Sequence, residues 1–345
     1  MHNWLQRLFR HTPKQMPEKS VLPVRETVLQ PPPKSVCAIS WEQRDAINSR
    51  FYNWAFDTTT RFNSGVNPVE KKILESLDQL VKSKQSASDL VKRMPGVVPQ
   101  LMHLLRSGNF SGAEISQKIS GDMVLVHAVL RAANSALYNT GQAVTSIEHA
   151  VLIIGQEGLR QLIASVAFRP IINFQSGRYT RQTAPVIWNQ SEQCAIANRT
   201  LAPDYDTDPF EAFLAGLAQN IGLMALLNMT DKIAAGNENF GSASFCTSLL
   251  RHARDLSCAI SREWDFPATV VQAIEEQKAS YKQSLSPTLS PLGRVLFAGD
   301  YLSKVRILAN NSQIAEDDPI IWEGLSATAA RCYQELKGFE ELTPG

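Results

Sequence analysis

The stretch FLAGLAQNIGLMALLNM, residues 213–229, is apolar through most of its length, with a polar pair, Gln219 and Asn220, at its middle and Asn228 near its end. A surface helix shows a single apolar stripe, whereas a segment apolar all round belongs in a core. The stretch therefore reads as a buried helix carrying two amide side chains where an enzyme could keep its chemistry. Just upstream, Asp208-Pro209-Phe210-Glu211 supplies a start: a capping carboxylate, proline at the first helical position and an acid at the third.

Working outward, the same grammar recurs. Asn67-Pro68-Val69-Glu70 opens a helix with Val69, Ile73, Leu77 and Leu80 at helical spacing, Ser111 with Glu114 forms another capping box, and Ser290-Pro291 begins a further helix. Gly155 ends the helix of SIEHAVLII, because a residue without a Cβ takes the left-handed conformation of a C-cap at little cost. No alternating strand pattern and no repeat of fixed period is legible, so the expected class is all-α and not a solenoid. Seams are expected near residue 36, across 174–184 and across 234–244, with the second dividing two helical halves.

The chain has 345 residues, 44% of them apolar, enough for a sizeable core. Its 34 basic and 33 acidic residues nearly balance, so nothing global calls for nucleic acid or an acidic substrate. The first 36 residues differ: six bases against two acids give net +4 and leave net −3 for the rest. Trp4, Leu5, Leu8 and Phe9 fall on one helical face there, with Gln6, Arg7 and Arg10 on the other. This short foot suits contact with a partner groove or peripheral contact with a membrane surface, against a frayed terminus or a packed extra helix. Residues 11–36, rich in Pro, Lys and Glu, read as an extended tether. The aromatic cluster Phe51, Tyr52, Trp54 and Phe56 is expected to pack mostly on the core, with part left for an interface. Five scattered cysteines without C-x-x-C spacing, and no cleavable signal, fit a reducing cytoplasm. No apolar run approaches the ~20 residues that cross a bilayer.

Residues 95–163 resemble the first half of the HDOD domain: a proline-led helix at Pro95, Asp122-Met123 where that family usually has Asp-Pro, the turn Asn134-Ser135-Ala136-Leu137-Tyr138, and a helix from Ala150 to Gly155. The resemblance extends over about residues 85–310. It implies a multi-helix HDOD fold in two halves, 85–180 and a degenerate HD-like 185–310, behind a tether (1–36) and a helical extension (37–84), and before a C-terminal helix and tail (311–345).

The family is related to HD and HD-GYP phosphohydrolases, in which a His, a His-Asp doublet and a later Asp hold divalent ions. Such ions need imidazole nitrogen and carboxylate oxygen, and they generate the nucleophile by acidifying bound water. In this sequence Trp188-Asn189-Gln190-Ser191 resembles the W-x-H-S element, and Gly216-Leu217-Ala218-Gln219-Asn220-Ile221-Gly222 resembles G-L-L-H-D-I-G. Gln190, Gln219 and Asn220 stand in ligand positions, Asp300 alone is retained, and Gln277-Lys278 replaces a frequent His-His. None of the six histidines (His2, His11, His103, His127, His149, His252) falls on a ligand position.

Four residues, Gln190, Gln219, Asn220 and Asp300, are thus expected to form a vestigial pocket, with no catalytic, metal or cofactor residues. The pocket is read as an internally satisfied amide network, in which Asp300 caps or pairs with a nearby Arg or Lys, in preference to a binding site for a small nucleotide. Asn134 and Ser135, with Tyr138, organise the family turn. His127 and His149 read as ordinary helix residues, and Cys194 and Cys246 as core filling. The resemblance implies a non-catalytic signalling protein with a protein partner. The competing readings are a phosphohydrolase rebuilt on Asp300 with Glu192, Glu275 or Glu276, and a nucleotide sensor without turnover.

Overall fold

The computed structural model describes residues 36–57, 65–82, 143–168, 177–234, 242–278 and 289–337, with isolated positions between 111 and 130. The helices are α1 (Trp41–Ala55), α2 (Pro68–Lys82), α3 (Ile147–Ile154), α4 (Gln156–Phe168), α5 (Arg178–Leu201), α6 (Pro209–Ala218), α7 (Ile221–Ala234), α8 (Ala243–Glu263), α9 (Ala268–Glu276), α10 (Pro291–Asn310), α11 (Pro319–Trp322) and α12 (Ala327–Leu336). No strand occurs among the described residues, and the class is all-α. The family turn Asn134, Ser135 and Tyr138 and the foot Trp4, Leu5, Leu8 and Phe9 lie outside the described residues.

Local start signals act where the sequence places them. Asn67 and Glu70 exchange reciprocal backbone-to-side-chain hydrogen bonds of 2.9 Å, and Ser111 and Glu114 close the same box. Asp208 accepts from the amides of Phe210 and Glu211, and Ser290 from Gly293. Gly155 follows α3 with φ +77°. Glu211 departs from the box pattern, since its carboxylate accepts from the Thr269 hydroxyl at 2.6 Å and so ties α6 to α9.

α5 is the spine of the packing, lying against α6 and α10, while α7 pairs with α8. It begins at Arg178, within the stretch 174–184, and runs across the expected boundary at 180–185. Its N-cap, Gly177, has no side chain, so Asp231 on α7 supplies the acceptor, taking the amide and hydroxyl of Thr180 at 2.8 and 2.6 Å. A Cβ on Gly177 would lie 2.3 Å from Asp231 Cγ. Glycine is therefore required by the approach of the cap.

α6 and α7 are almost one helix. The Gln219 amide still donates to Ala215 and that of Met224 to Asn220, so Pro209–Ala234 forms 26 residues long and apolar enough to cross a membrane by length and composition. This corrects the expectation that no such run exists. In the most apolar window of that segment 94% is buried inside the protein, as a core helix requires. Two glycines permit this burial: a Cβ on Gly216 would sit 2.5 Å from Ala195 Cα, and one on Gly222 would sit 2.1 Å from the Ala253 carbonyl.

The extension is built onto this core. Phe51, Tyr52 and Phe56 are buried and Trp54 partly so, with α1 lying against α10 and the Trp41 and Phe297 rings meeting edge-on at 4.9 Å. Buried Glu70 accepts from the amide and hydroxyl of Ser242, joining α2 to the start of α8. Ahead of α1, the Ala38 amide donates to the Gly324 carbonyl at 2.7 Å and that of Cys37 to the Tyr205 hydroxyl at 3.0 Å. Cys194 and Cys246 are buried, and all five cysteines are free.

Candidate functional site

Three helices bring the polar residues together: α5 carries Gln190 and Ser191, the α6–α7 corner carries Asn220, and α10 carries Asp300, Ser303 and Lys304. All are buried. Asn220 donates through Nδ2 to Gln190 Oε1 at 2.5 Å and to Ser191 Oγ at 3.0 Å. Gln190 donates through Nε2 to Asp300 Oδ1 at 3.0 Å and to Ser303 Oγ at 2.8 Å. Both protons of each amide nitrogen are thereby used, which is what keeps an amide in a core from carrying a desolvation penalty of about 1–3 kcal/mol.

The second oxygen of Asp300 takes the ammonium of Lys304, one helical turn later, at 2.7 Å. Lys304 also donates to Asn48 Oδ1 at 2.6 Å and faces the Tyr52 ring, whose centroid is 4.8 Å away. Both of those partners come from α1. Burial alone would raise the Asp300 carboxyl, but Lys304, Arg254 and Arg44 outweigh it and hold the group below its ordinary range. A fixed organic cation thus neutralises the one carboxylate that remains.

Gln219 does not join this network. Adjacent residues at a helical corner point about 100° apart, and its amide nitrogen turns to Cys194 Sγ at 3.1 Å, leaving Oε1 buried without a hydrogen-bond partner. Burial, with the Asp300 charge adding to it, pushes the Cys194 thiol well up. Ser257 on α8 repairs the break between α6 and α7, accepting from the Gly222 amide and donating to the Gln219 carbonyl, each at 2.9 Å. Gln277 donates to the carbonyls of Ala273 and Gly293, and Lys278 pairs with Asp255 and Glu275 away from the centre.

Two of the carboxylates considered for a rebuilt metal site, Glu275 and Glu276, are committed elsewhere. Glu275 faces Arg262 and Lys278, and Glu276 accepts from the amide and hydroxyl of Ser290. Among the described residues no three His, Cys, Asp or Glu side chains converge to hold an ion. His127 is exposed and His149 half-buried. A centre made of amides, hydroxyls and one carboxylate already bound to ammonium does not fit a divalent metal, which needs several anionic or imidazole donors.

Residues 91–280 match the family model for the HDOD domain. The chain belongs to the HDOD domain family. An uncharacterized protein of Treponema pallidum (strain Nichols) is 23% identical over 214 residues, 58% of this chain and 40% of that one, so the match spans well under half of the relative's length. Among solved structures, a protein of Shewanella amazonensis SB2B provisionally named a metal-dependent phosphohydrolase is 19% identical, with 79% of this chain and 99% of that chain covered and a TM-score of 0.50. An HDOD domain protein of unknown function from Geobacter sulfurreducens is 16% identical over 74% of this chain and 95% of its own, with a TM-score of 0.47. At these identities the likeness is one of fold.

The HDOD comparison omits Lys304 and Asn48, which the geometry brings to the centre, and Arg44 and Arg254, whose charges act on Asp300. Lys304 lies at the i,i+4 position after Asp300, a spacing legible in the sequence. Arg44 and Asn48 arrive from α1, more than 230 residues from the groups they meet, and no local signal marks them.

Proposed function

We propose that this HDOD protein is a non-catalytic regulatory component of a bacterial signalling pathway that works through protein contacts in the cytoplasm, its HD-like half serving as scaffold. The observation that carries this reading is Lys304 seated on Asp300 within a closed network of amides and hydroxyls. An ammonium cannot polarise a phosphoryl oxygen and acidify a water as a divalent ion does. The amides at 190 and 220 supply no negative charge to attract such an ion. Five free cysteines suit a reducing compartment, and the basic amino-terminal segment is the natural candidate for partner capture.

The reading is tested on full-length protein purified without chelators. Metal content is measured by mass spectrometry after exposure to manganese, iron or zinc, and hydrolysis of phosphomonoesters and phosphodiesters is assayed in parallel. We expect no stoichiometric metal and no turnover. About one ion per chain, lost together with hydrolysis in Asp300→Ala, would return the protein to the phosphohydrolases. Deleting residues 1–35 is expected to abolish partner capture in cells while leaving the melting temperature unchanged.

A further inference from the structure

The amino-terminal segment joins the helical body at a defined place. The Ala38 amide donates to the Gly324 carbonyl at 2.7 Å, Gln43 donates through Nε2 to the Glu323 carbonyl at 3.2 Å, and the Cys37 thiol donates to Ser326 Oγ at 3.7 Å. The start of α1 thus lies along residues 323–326. Val36 and Trp322 each stand two residues from the Ala38–Gly324 bond, about 7 Å of chain at most, and they are 43% and 38% exposed. The Trp322 indole is held in one pose, because Nε1 donates to the Glu316 carbonyl at 3.0 Å and the ring meets Tyr333 edge-on with centroids 5.2 Å apart. A fixed apolar surface therefore sits beside the point where the segment leaves.

The same face is acidic. Residues 307–330 contain Glu316, Asp317, Asp318 and Glu323 and no Lys or Arg. Glu316 is taken by Arg306 and Lys337, and Asp318 faces Arg50 at 3.9 Å. Asp317 and Glu323 are exposed and form no ion pair among the described residues. The segment that leaves from Val36 has the opposite sign, net +4 over the first 36 residues. Its first ten residues carry Trp4, Leu5, Leu8 and Phe9 on one helical face and Arg7 and Arg10 on the other. Charge, apolarity and place of attachment are therefore complementary.

The size of the face decides which occupant suits it. Two exposed apolar side chains are little against the roughly 800 Å² that each partner gives to a stable complex, too little to hold a separate protein. A tethered segment needs far less. A coil the length of residues 11–35 spans roughly 25–30 Å and presents what it carries at an effective concentration of the order of 1 mM. A contact with a Kd of about 1 mM is then half occupied. We propose that the face around Trp322 and Val36 is the resting site of residues 1–10 of this same chain, with Trp4, Leu5, Leu8 and Phe9 on the indole and Arg7 and Arg10 toward Asp317 and Glu323. The proposal goes beyond the signalling reading, since it concerns where the segment lies when no partner holds it. A partner that captures the segment competes with this face. Half occupancy only doubles the weight of the folded state, which moves the melting temperature by about 1 °C at most.

The test is carbodiimide cross-linking of dilute full-length protein, which joins amines to carboxylates in direct contact, read by peptide mass spectrometry. Lys34 is too near Val36 to be informative, so Lys14 and Lys19 are the reporters. We expect Lys14 or Lys19 joined to Asp317 or Glu323, with a yield that falls at least about two-fold in Trp322→Ser and in the double variant Trp4→Ser, Leu8→Ser. The double variant leaves every described residue unaltered, so it decides the matter even if Trp322→Ser disturbs its loop. The yield should also fall in one molar salt, where the Debye length is about 3 Å. Chains labelled with heavy nitrogen are mixed with unlabelled ones to identify the source of each link. Links within one isotope support the proposal, and links between isotopes overturn it in favour of a second copy's segment. No link from Lys14 or Lys19, or a yield undiminished in Trp4→Ser, Leu8→Ser, overturns it as well. Metal content and hydrolysis on the same preparation bear on the non-catalytic reading alone and leave this result untouched.

Discussion

Helix α10 carries two fully buried cations two residues apart, and they live in different worlds. Lys304 faces the polar centre and pairs with Asp300, of which only 2% of the side chain is exposed. Arg306 points to the other side and pairs with Glu316, whose side chain is 45% exposed and which also accepts from the Tyr333 hydroxyl at 3.0 Å. The helix is buried on all its faces, so both long cationic stems are enclosed, but only one pair has a route to water. The difference teaches what each pair does. Lys304–Asp300 gives a buried carboxylate its direct ion-pair partner, whereas Arg306–Glu316 fastens the chain after α10 to the helix body.

That contrast can be broken most sharply at Lys304. Lys304→Ala removes the ion-pair partner of a buried carboxylate and is expected to cost about 3–5 kcal/mol in chemical denaturation. The double variant Asp300→Asn, Lys304→Met should recover most of the loss, because it removes the charge and keeps the volume. A cost below about 1 kcal/mol for the single change would mean that the pair does not hold the centre. Glu316→Gln is the matching change on the open side. Its expected cost is about 1–2 kcal/mol, because the amide still accepts from Arg306 and solvent reaches the site. Equal losses at the two sites would erase the distinction.

The smallest effect is in the response to acid and salt. Both carboxyls are held below their ordinary range, Asp300 by the three cations that outweigh burial and Glu316 chiefly by its bonds to Arg306. A carboxyl with a lowered folded-state pKa contributes stability above its unfolded value, and that contribution is lost as pH falls through the folded value. Between pH 7 and 3, Glu316→Gln should therefore lose less stability than the unaltered chain, by well under about 1 kcal/mol at so exposed a site. One molar salt should shrink that difference, since the Debye length falls to about 3 Å. The contribution of Asp300 should be insensitive to the same salt. Denaturation at both pH values and both salt levels checks each statement.

Much of the fold was legible because its instructions are local. Asn67, Ser111, Asp208 and Ser290 cap the helices they precede, and Gly155 takes the left-handed turn, each within a few residues of its partner. The start of α5 was less legible because its cap, Asp231, lies 51 residues from Thr180. The long apolar helix was hidden by Gln219 and Asn220, which interrupt the hydropathy while the backbone bonds continue past them. At the centre, the substitutions identified Gln190, Asn220 and Asp300 as neighbours. They could not show that Gln219 turns away to Cys194, because motif position does not fix the direction of a side chain at a corner. Nor could they announce Asn48, which meets Lys304 across 256 residues of sequence.

The bonds at Cys37 and Ala38 have a mechanical meaning. They lie between the first 35 residues and α1, the helix that delivers Arg44 and Asn48 to the centre. A load applied through the amino-terminal segment, by a partner or a surface, meets Tyr205 and Gly324 before it reaches α1. Under such a load these two bonds would act as the strain relief on a cable, holding α1 in place while they last.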